Sequence, residues 1–296
     1  MTEEQDIIQG KTKTILFVFS DFGRGFYLKI IEGINKYASV SGYDMVICTD
    51  KSCEKFMRSS MSDGCIILDA HVRNDTIISA AEEGYPIVVM DRLLEAPNVK
   101  SVIMSNIKSM TNLMSGIVDR GYRRFAFISG PEHTEDSRER FQAFSDVLSA
   151  GDIAFDNKMY FAGNYLQSSG YEAARIFLAG GSRPEAIVCA NDDMAIGAIK
   201  ALEESGLRIP RDIAVTGFDN IPEAESAGLT TVSIPDYERG YLAAFSLIDN
   251  IRGKNNFETV NIPTSVVWRH TVAAMAPDSQ PRSMDLSAID KNLIRV

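Results

Sequence analysis

Residues 186–220 read AIVCANDDMAIGAIKALEESGLRIPRDIAVTGFDN, and this stretch decides the fold. Ala186–Ala190 is a short apolar run suited to a buried parallel strand. Asn191-Asp192-Asp193 follows, and Asn or Asp there can cap the orphan N–H groups that open a helix. Met194, Ala198, Ala201 and Leu202 recur at helical spacing, and Gly206 is placed to end the helix at C′. Ile213–Phe218 is a second strand that delivers Asp219 at its carboxyl end. Parallel strands joined by a right-handed crossover put their carboxyl ends on one edge of the sheet. Asn191 and Asp219 are therefore predicted to reach one crevice, at the edge where open α/β sheets bind ligands.

Outward from this block the same alternation continues. Candidate strands are Thr14–Phe19, Asp44–Cys48, Gly64–Leu68, Pro86–Met90, Ser101–Met104, Arg124–Ser129, Met159–Ala162 and Ser265–Trp268. Strands alternating with helices predict an α/β fold with a largely parallel sheet. Helix, then Gly-Tyr, then strand recurs at Gly42-Tyr43, Gly84-Tyr85 and Gly121-Tyr122, the glycine relieving the left-handed turn that stops a helix. The segment Thr49–Asp63 is short and leaves little room for a helix.

A chain of 296 residues and 32.6 kDa suits one large domain or two lobes. Its net charge of −10 argues against this chain gripping DNA, which needs clustered Lys and Arg. Of the four cysteines, Cys48, Cys65 and Cys189 sit in or beside apolar runs, which reads as buried, reduced thiols of a cytoplasmic protein. Met1–Gly10 carries no basic, apolar leader pattern, and no apolar run approaches the roughly 20 residues of a membrane span.

The block ANDDMAIGAIKALEESGLRIPRDIAVTGFDN closely resembles its counterpart in the lactose-repressor/galactose-repressor family of bacterial transcription regulators. GINKYASVSGYDMVI, GYPIVVMDR, SVIMSN, GYRRFAFISGP, DSRERFQAFSDVL, LTTVSIPDYERG and IPTSVVWRHT follow the family pattern in order, from about Lys13 to Val272. The resemblance implies a type I periplasmic-binding-protein-like architecture: two doubly wound parallel-sheet lobes joined by three crossover segments. Carried onto this chain, the N-terminal lobe is 13–104 plus 236–262 and the C-terminal lobe 106–233 plus 265–275, leaving a tail at 276–296. It also implies a sugar-like effector in an interlobe cleft, a homodimer, and DNA contact only through an N-terminal helix-turn-helix absent from this chain. A sugar carrier of the same fold is the alternative.

Sugars offer vicinal hydroxyls and apolar C–H faces, which call for bidentate charged groups, Asn amides and an aromatic wall. Asp219 and Asn191 fit the hydroxyl-binding role, with helix or loop capping as the alternative for each. Asp91 follows the strand Ile87–Met90 and should reach its edge, or else turn at the surface. The resemblance implies that Arg140 is the effector-binding arginine, with Arg138 in competition, and that Tyr165 is the aromatic closing the pocket. Asp21, Phe22 and Tyr27, in and beside the loop after the first strand, and Met104 complete the candidate set. Departures stand at Ser105-Asn106, where relatives often carry Asp-Asn, and in the glycine-rich first loop.

Catalysis has no support. Asp21-Phe22-Gly23 lacks the other kinase signatures, Gly23-x-Gly25 lacks the third glycine of a dinucleotide fingerprint, and His71, His133 and His270 are scattered. No catalytic residue, metal or cofactor is expected. Ile30, Ile31, Ile34, Leu242, Phe245 and Leu247 exceed what one helix face needs, which suggests a pairing surface unless a lobe core absorbs them.

Overall fold

Thr14–Val18, five consecutive buried residues, make β1, the strand on which the first half of the molecule is assembled. The computed structural model describes residues 13–19, 26–59, 61–68, 72–181, 183–254 and 259–273. From β1 the chain runs through α1 (Phe26–Val40), β2 (Asp44–Cys48), α2 (Asp50–Met57), β3 (Gly64–Ile67), α3 (Asn74–Glu82), β4 (Ile87–Met90) and β5 (Val99–Ile103). Then come α4 (Asn106–Asp119), β6 (Phe125–Ser129), α5 (Glu135–Ala150), β7 (Tyr160–Ala162), α6 (Gln167–Ala179) and β8 (Ala186–Cys189). They are followed by α7 (Asp192–Glu204), β9 (Ala214–Thr216), α8 (Pro222–Ser226) and β10 (Thr231–Ser233). The last elements are α9 (Asp236–Ile251), β11 (Val260–Asn261) and β12 (Ser265–Val267). These divide into two compact units: residues up to Met104 with Pro235–Pro263, and Ser105–Ile234 with residues from Thr264 onward.

The first unit holds a six-stranded sheet, ordered β11-β5-β4-β3-β1-β2, and every pairing in it is parallel. Its central strands β1, β3 and β4 are buried throughout because both faces are covered. One face packs on α1 and α9, with Ile30, Ile34 and Leu247 fully buried against Phe17, Ile66 and Val102. Those two helices touch backbone to backbone. A Cβ on Gly33 would stand 2.0 Å from the Tyr237 carbonyl oxygen, and one on Gly240 2.1 Å from that of Ile30. Ile31 and Leu242 also pack on this core, so five of the six apolar residues singled out on α1 and α9 are absorbed by it, while Phe245 meets Tyr37 edge-on at 5.3 Å. The opposite face takes α2 and α3, including Cys53, Met57, Ile77 and Ala81. The expectation of little room between β2 and β3 is corrected, since two helical turns suffice to lay Cys53 and Met57 onto the sheet.

The second unit holds a four-stranded parallel sheet, ordered β7-β6-β8-β9. An antiparallel pair, β10 with β12, continues beside β9 through single parallel bridges at Thr216–Thr230 and Asp219–Ser233. The α6 and α7 helices cross on Gly170 and Gly197, where a Cβ would meet the Met194 and Gln167 carbonyl oxygens at 1.9 Å. α7 stops as its sequence indicates: Gly206 takes φ +75°, and the Leu207 N–H reaches back to the Leu202 carbonyl. β10 and β11, three and two residues long, carry no sequence pattern of their own and are not among the candidate strands. All four cysteines are buried.

Candidate ligand-binding site

The second unit changes direction between β6 and β8: β7 lies on one side of them and β9 on the other. In open α/β sheets that switch point, at the carboxyl ends of the strands, is where ligands bind. Three side chains converge on it. Arg140, on α5, is 5 % exposed and donates from Nη1 to the Ala190 carbonyl just past β8, at 2.6 Å. Its guanidinium lies 3.8 Å over the Phe218 ring and 3.7 Å from the Asp219 carboxylate, which follows β9. Arg138 is exposed, so of the two competing arginines only Arg140 enters this cluster.

Tyr165 comes from the segment between β7 and α6, at φ +67°, and is buried. Its ring lies so close over Gly130, past the end of β6, that a Cβ there would stand 2.1 Å from Cζ. The phenol oxygen is 3.3 Å from Thr134 Oγ1, and burial raises its pKa. Asn191 caps α7, its Oδ1 accepting from the Met194 N–H at 3.1 Å, while its Nδ2 donates to the Tyr165 carbonyl at 3.1 Å. The capping alternative is thus realised, and it also fixes Tyr165.

Behind Arg140 stands Asn106, which the sequence marks only as the residue after Ser105. It is buried at the start of α4, accepts from Arg140 Nε at 2.8 Å, and donates to Asp136 and Glu139 at 3.0 Å each. Burial raises the pKa of Glu139. Asp192, one of the three residues that the sequence offers as a cap, has a different place, since the cap is Asn191. It is fully buried, its carboxylate accepting from Thr231 Oγ1 at 2.6 Å and the Ile221 N–H at 2.9 Å.

In the first unit, Asp91 follows β4 at φ +58°, with its N–H bonded to the Val102 carbonyl. Both of its carboxylate oxygens accept from Arg239 Nη2, at 2.5 and 2.6 Å, and Arg239 Nη1 donates to Asp236 at 2.6 Å. Arg239 is missed by pattern reading, although a signal exists: a charged residue stands on the apolar stripe that continues through Ala243 and Leu247. Tyr27 stacks on Phe19 at 4.9 Å and, like Met104, packs against the core of this unit. Asp21 and Phe22 lie outside the described residues. Among the described residues, no group of three or more His, Cys, Asp or Glu is placed to hold a metal, and no helix is long and apolar enough to cross a membrane.

Residues 116–272 match the model of the periplasmic binding protein-like domain family. A LacI-family sugar-binding transcriptional regulator from Enterococcus faecalis is 30% identical over 89% of this chain and 98% of that one, with a TM-score of 0.78. This chain is a periplasmic-binding-protein-like domain of the LacI family. The HTH-type transcriptional repressor PurR of Photobacterium profundum is 27% identical over 83% of this LacI-family chain and 76% of its own length. The transcriptional regulator CelR in complex with cellobiose is 26% identical, covers 91% of this chain and 89% of that one, and has a TM-score of 0.77. The sequence resemblance and the α/β fold class therefore hold, and the chain is an effector-sensing domain of transcriptional regulators.

Proposed function

We propose that this LacI-family domain binds a sugar or sugar derivative and passes that signal to DNA. The observation that carries the reading is the buried Arg140 beside Asp219 at the switch point of the second sheet. A guanidinium and a carboxylate offer donor and acceptor to vicinal hydroxyls, and Tyr165 offers a flat wall to C–H faces. Asn191 serves that set by holding Tyr165; Asp91, Tyr27 and Met104 are the proposed contacts of the first unit, with Asp21 and Phe22. The cellobiose bound by CelR supports a sugar as the ligand class. The two units are the proposed lobes. DNA contact belongs to a helix-turn-helix of the kind named for PurR, since a net charge of −10 does not suit phosphate binding. The proposed protein is cytoplasmic, has no enzymatic activity and acts as a homodimer. A second copy would cover β2, an edge strand whose Val46 and Ile47 are 41% and 38% exposed.

Calorimetry with cellobiose, glucose and ribose tests the site. Losing a hydrogen-bond partner to a charged group should weaken binding about ten- to a hundredfold in Arg140→Ala and in Asp219→Ala. Unchanged affinity in both removes the site assignment, and no binding of any sugar removes the ligand class.

A further inference from the structure

Asp219 and Asn220 are consecutive non-glycine residues at positive φ, +115° and +59°. Such conformations persist only where the surroundings over-determine them. Here the surroundings centre on Asp192, whose residue is 0% exposed. Its Oδ2 accepts the Ile221 N–H at 2.9 Å, and the Asn220 N–H also donates to this carboxylate. Its Oδ1 accepts Thr231 Oγ1 at 2.6 Å, and its own N–H donates to the Phe218 carbonyl at 2.9 Å. Gly217 makes the space, because a Cβ there would stand 2.1 Å from Asp192 Oδ1. The far side of the turn is tied by Asn220, which accepts from Arg269 Nη2 at 2.8 Å and donates to Ser233 Oγ at 3.1 Å.

We propose that Asp192 is a positioning residue whose ionised carboxylate clamps the Asp219–Asn220 turn, sets where Asp219 stands beside Arg140, and lets the turn relax when it is protonated. A carboxylate is acceptor-only and takes the Ile221 and Asn220 N–H groups and the Thr231 hydroxyl; protonation turns one of its oxygens into a donor and weakens the acceptor that the two N–H groups need. Burial pushes the Asp192 carboxyl up to about 7, while its hydrogen bonds and Arg269 pull the other way, so the change falls near neutrality. The groups around it are few. Arg269, before the end of the described chain, is the cation; Cys189 of β8 is a thiol held protonated by burial. Asp193, next on α7, takes Gln167 Nε2, and Glu223 and Glu225 of α8 are exposed. That Asp219 touches an effector rests on the function proposed above, whereas the clamp itself does not.

The test needs no ligand. In the ¹⁵N-labelled chain, the backbone amides of Asn220 and Ile221 and the Nε–H of Arg140 are followed by NMR from about pH 5.5 to 8.5. All three should shift together with a midpoint near 7. Thr231→Val removes a donor and should move that midpoint up by roughly one pH unit; Asp192→Asn should abolish the transition. Flat amides in the parent, an unmoved midpoint in Thr231→Val, or a transition surviving in Asp192→Asn overturns the clamp. A static Arg140 resonance beside titrating amides overturns the link to Asp219. Titrating resonances in a chain that binds no sugar leave the clamp standing and remove only the sugar reading.

Discussion

A single nitrogen of Arg239 holds both carboxylate oxygens of Asp91, so the first turn of α9 is bolted to the carboxyl end of β4. Arg239 is 2% exposed and also carries Asp236, which leaves one cation between two acids with little solvent. Arg239→Met should therefore cost about 3–5 kcal/mol, because it strands uncompensated charge rather than merely deleting a bond. Combining it with Asp91→Asn and Asp236→Leu should recover most of that loss. Chemical denaturation of the single and triple variants checks this, and a triple variant no more stable than Arg239→Met refutes it.

The α1–α9 crossing depends on two absent methyl groups. Gly33→Ala and Gly240→Ala would each drive a Cβ into a carbonyl oxygen of the facing helix. Each should destabilise the protein by about 1–3 kcal/mol or more, as overpacking does. Gly180→Ala, with its nearest neighbours at 3.6 and 3.7 Å, should melt close to the parent.

Two buried acids give stability an unusual pH dependence. Burial raises Asp236 to about 6, outweighing Arg239, and Asp192 to about 7. Both exceed the ordinary aspartate value of 3.8, so between these limits the folded chain binds more protons than the unfolded one. Their contribution to stability therefore falls as pH rises from about 5 to 7, by up to about 1.4 kcal/mol per pH unit for each carboxyl. Asp236→Asn should flatten the lower part of that slope and Asp192→Asn the upper part. Thermal melts across this range read it directly. A clamp at Asp192 is then held ionised at some cost to global stability.

Pairing through β2 makes a separate prediction. Sedimentation at micromolar concentration should give about twice 32.6 kDa, and Val46→Lys with Ile47→Lys should halve it without lowering the melting temperature of the monomer. A parent that is monomeric throughout refutes the pairing. A gel shift with operator-like DNA at moderate salt should show nothing for this chain, given its charge.

The strands were legible because their signal is local: Asp44–Cys48 is bounded in the sequence as it is in the structure, and most others differ by a residue at one end. β10 and β11 were not, since two- and three-residue strands are defined by their neighbours rather than by their own pattern. At the proposed site, strand-end position points to Asp219 and the family resemblance to Arg140, and the two side chains stand 3.7 Å apart. For Asn191 the sequence leaves hydroxyl binding and capping both open, because an Asn after a strand carries the same signal for both roles; its polar atoms cap α7 and hold Tyr165. The roles of Asn106, Asp192 and Arg239 are not legible in the sequence because a buried polar residue is recognised by its partners, and Arg239 meets Asp91 only through the return of the chain at α9.

That return has a consequence for how the protein is made. α9 shares with α1 the covering of one face of the first sheet, yet it is synthesised after almost all of the second unit. A nascent chain emerging amino-terminus first must keep the apolar faces of β1 and β3 waiting until Ile251 has left the ribosome. The second unit in turn lacks β12 until the first is complete. The first unit is completed only two residues before β12 begins, so the two halves close almost together at the end of synthesis.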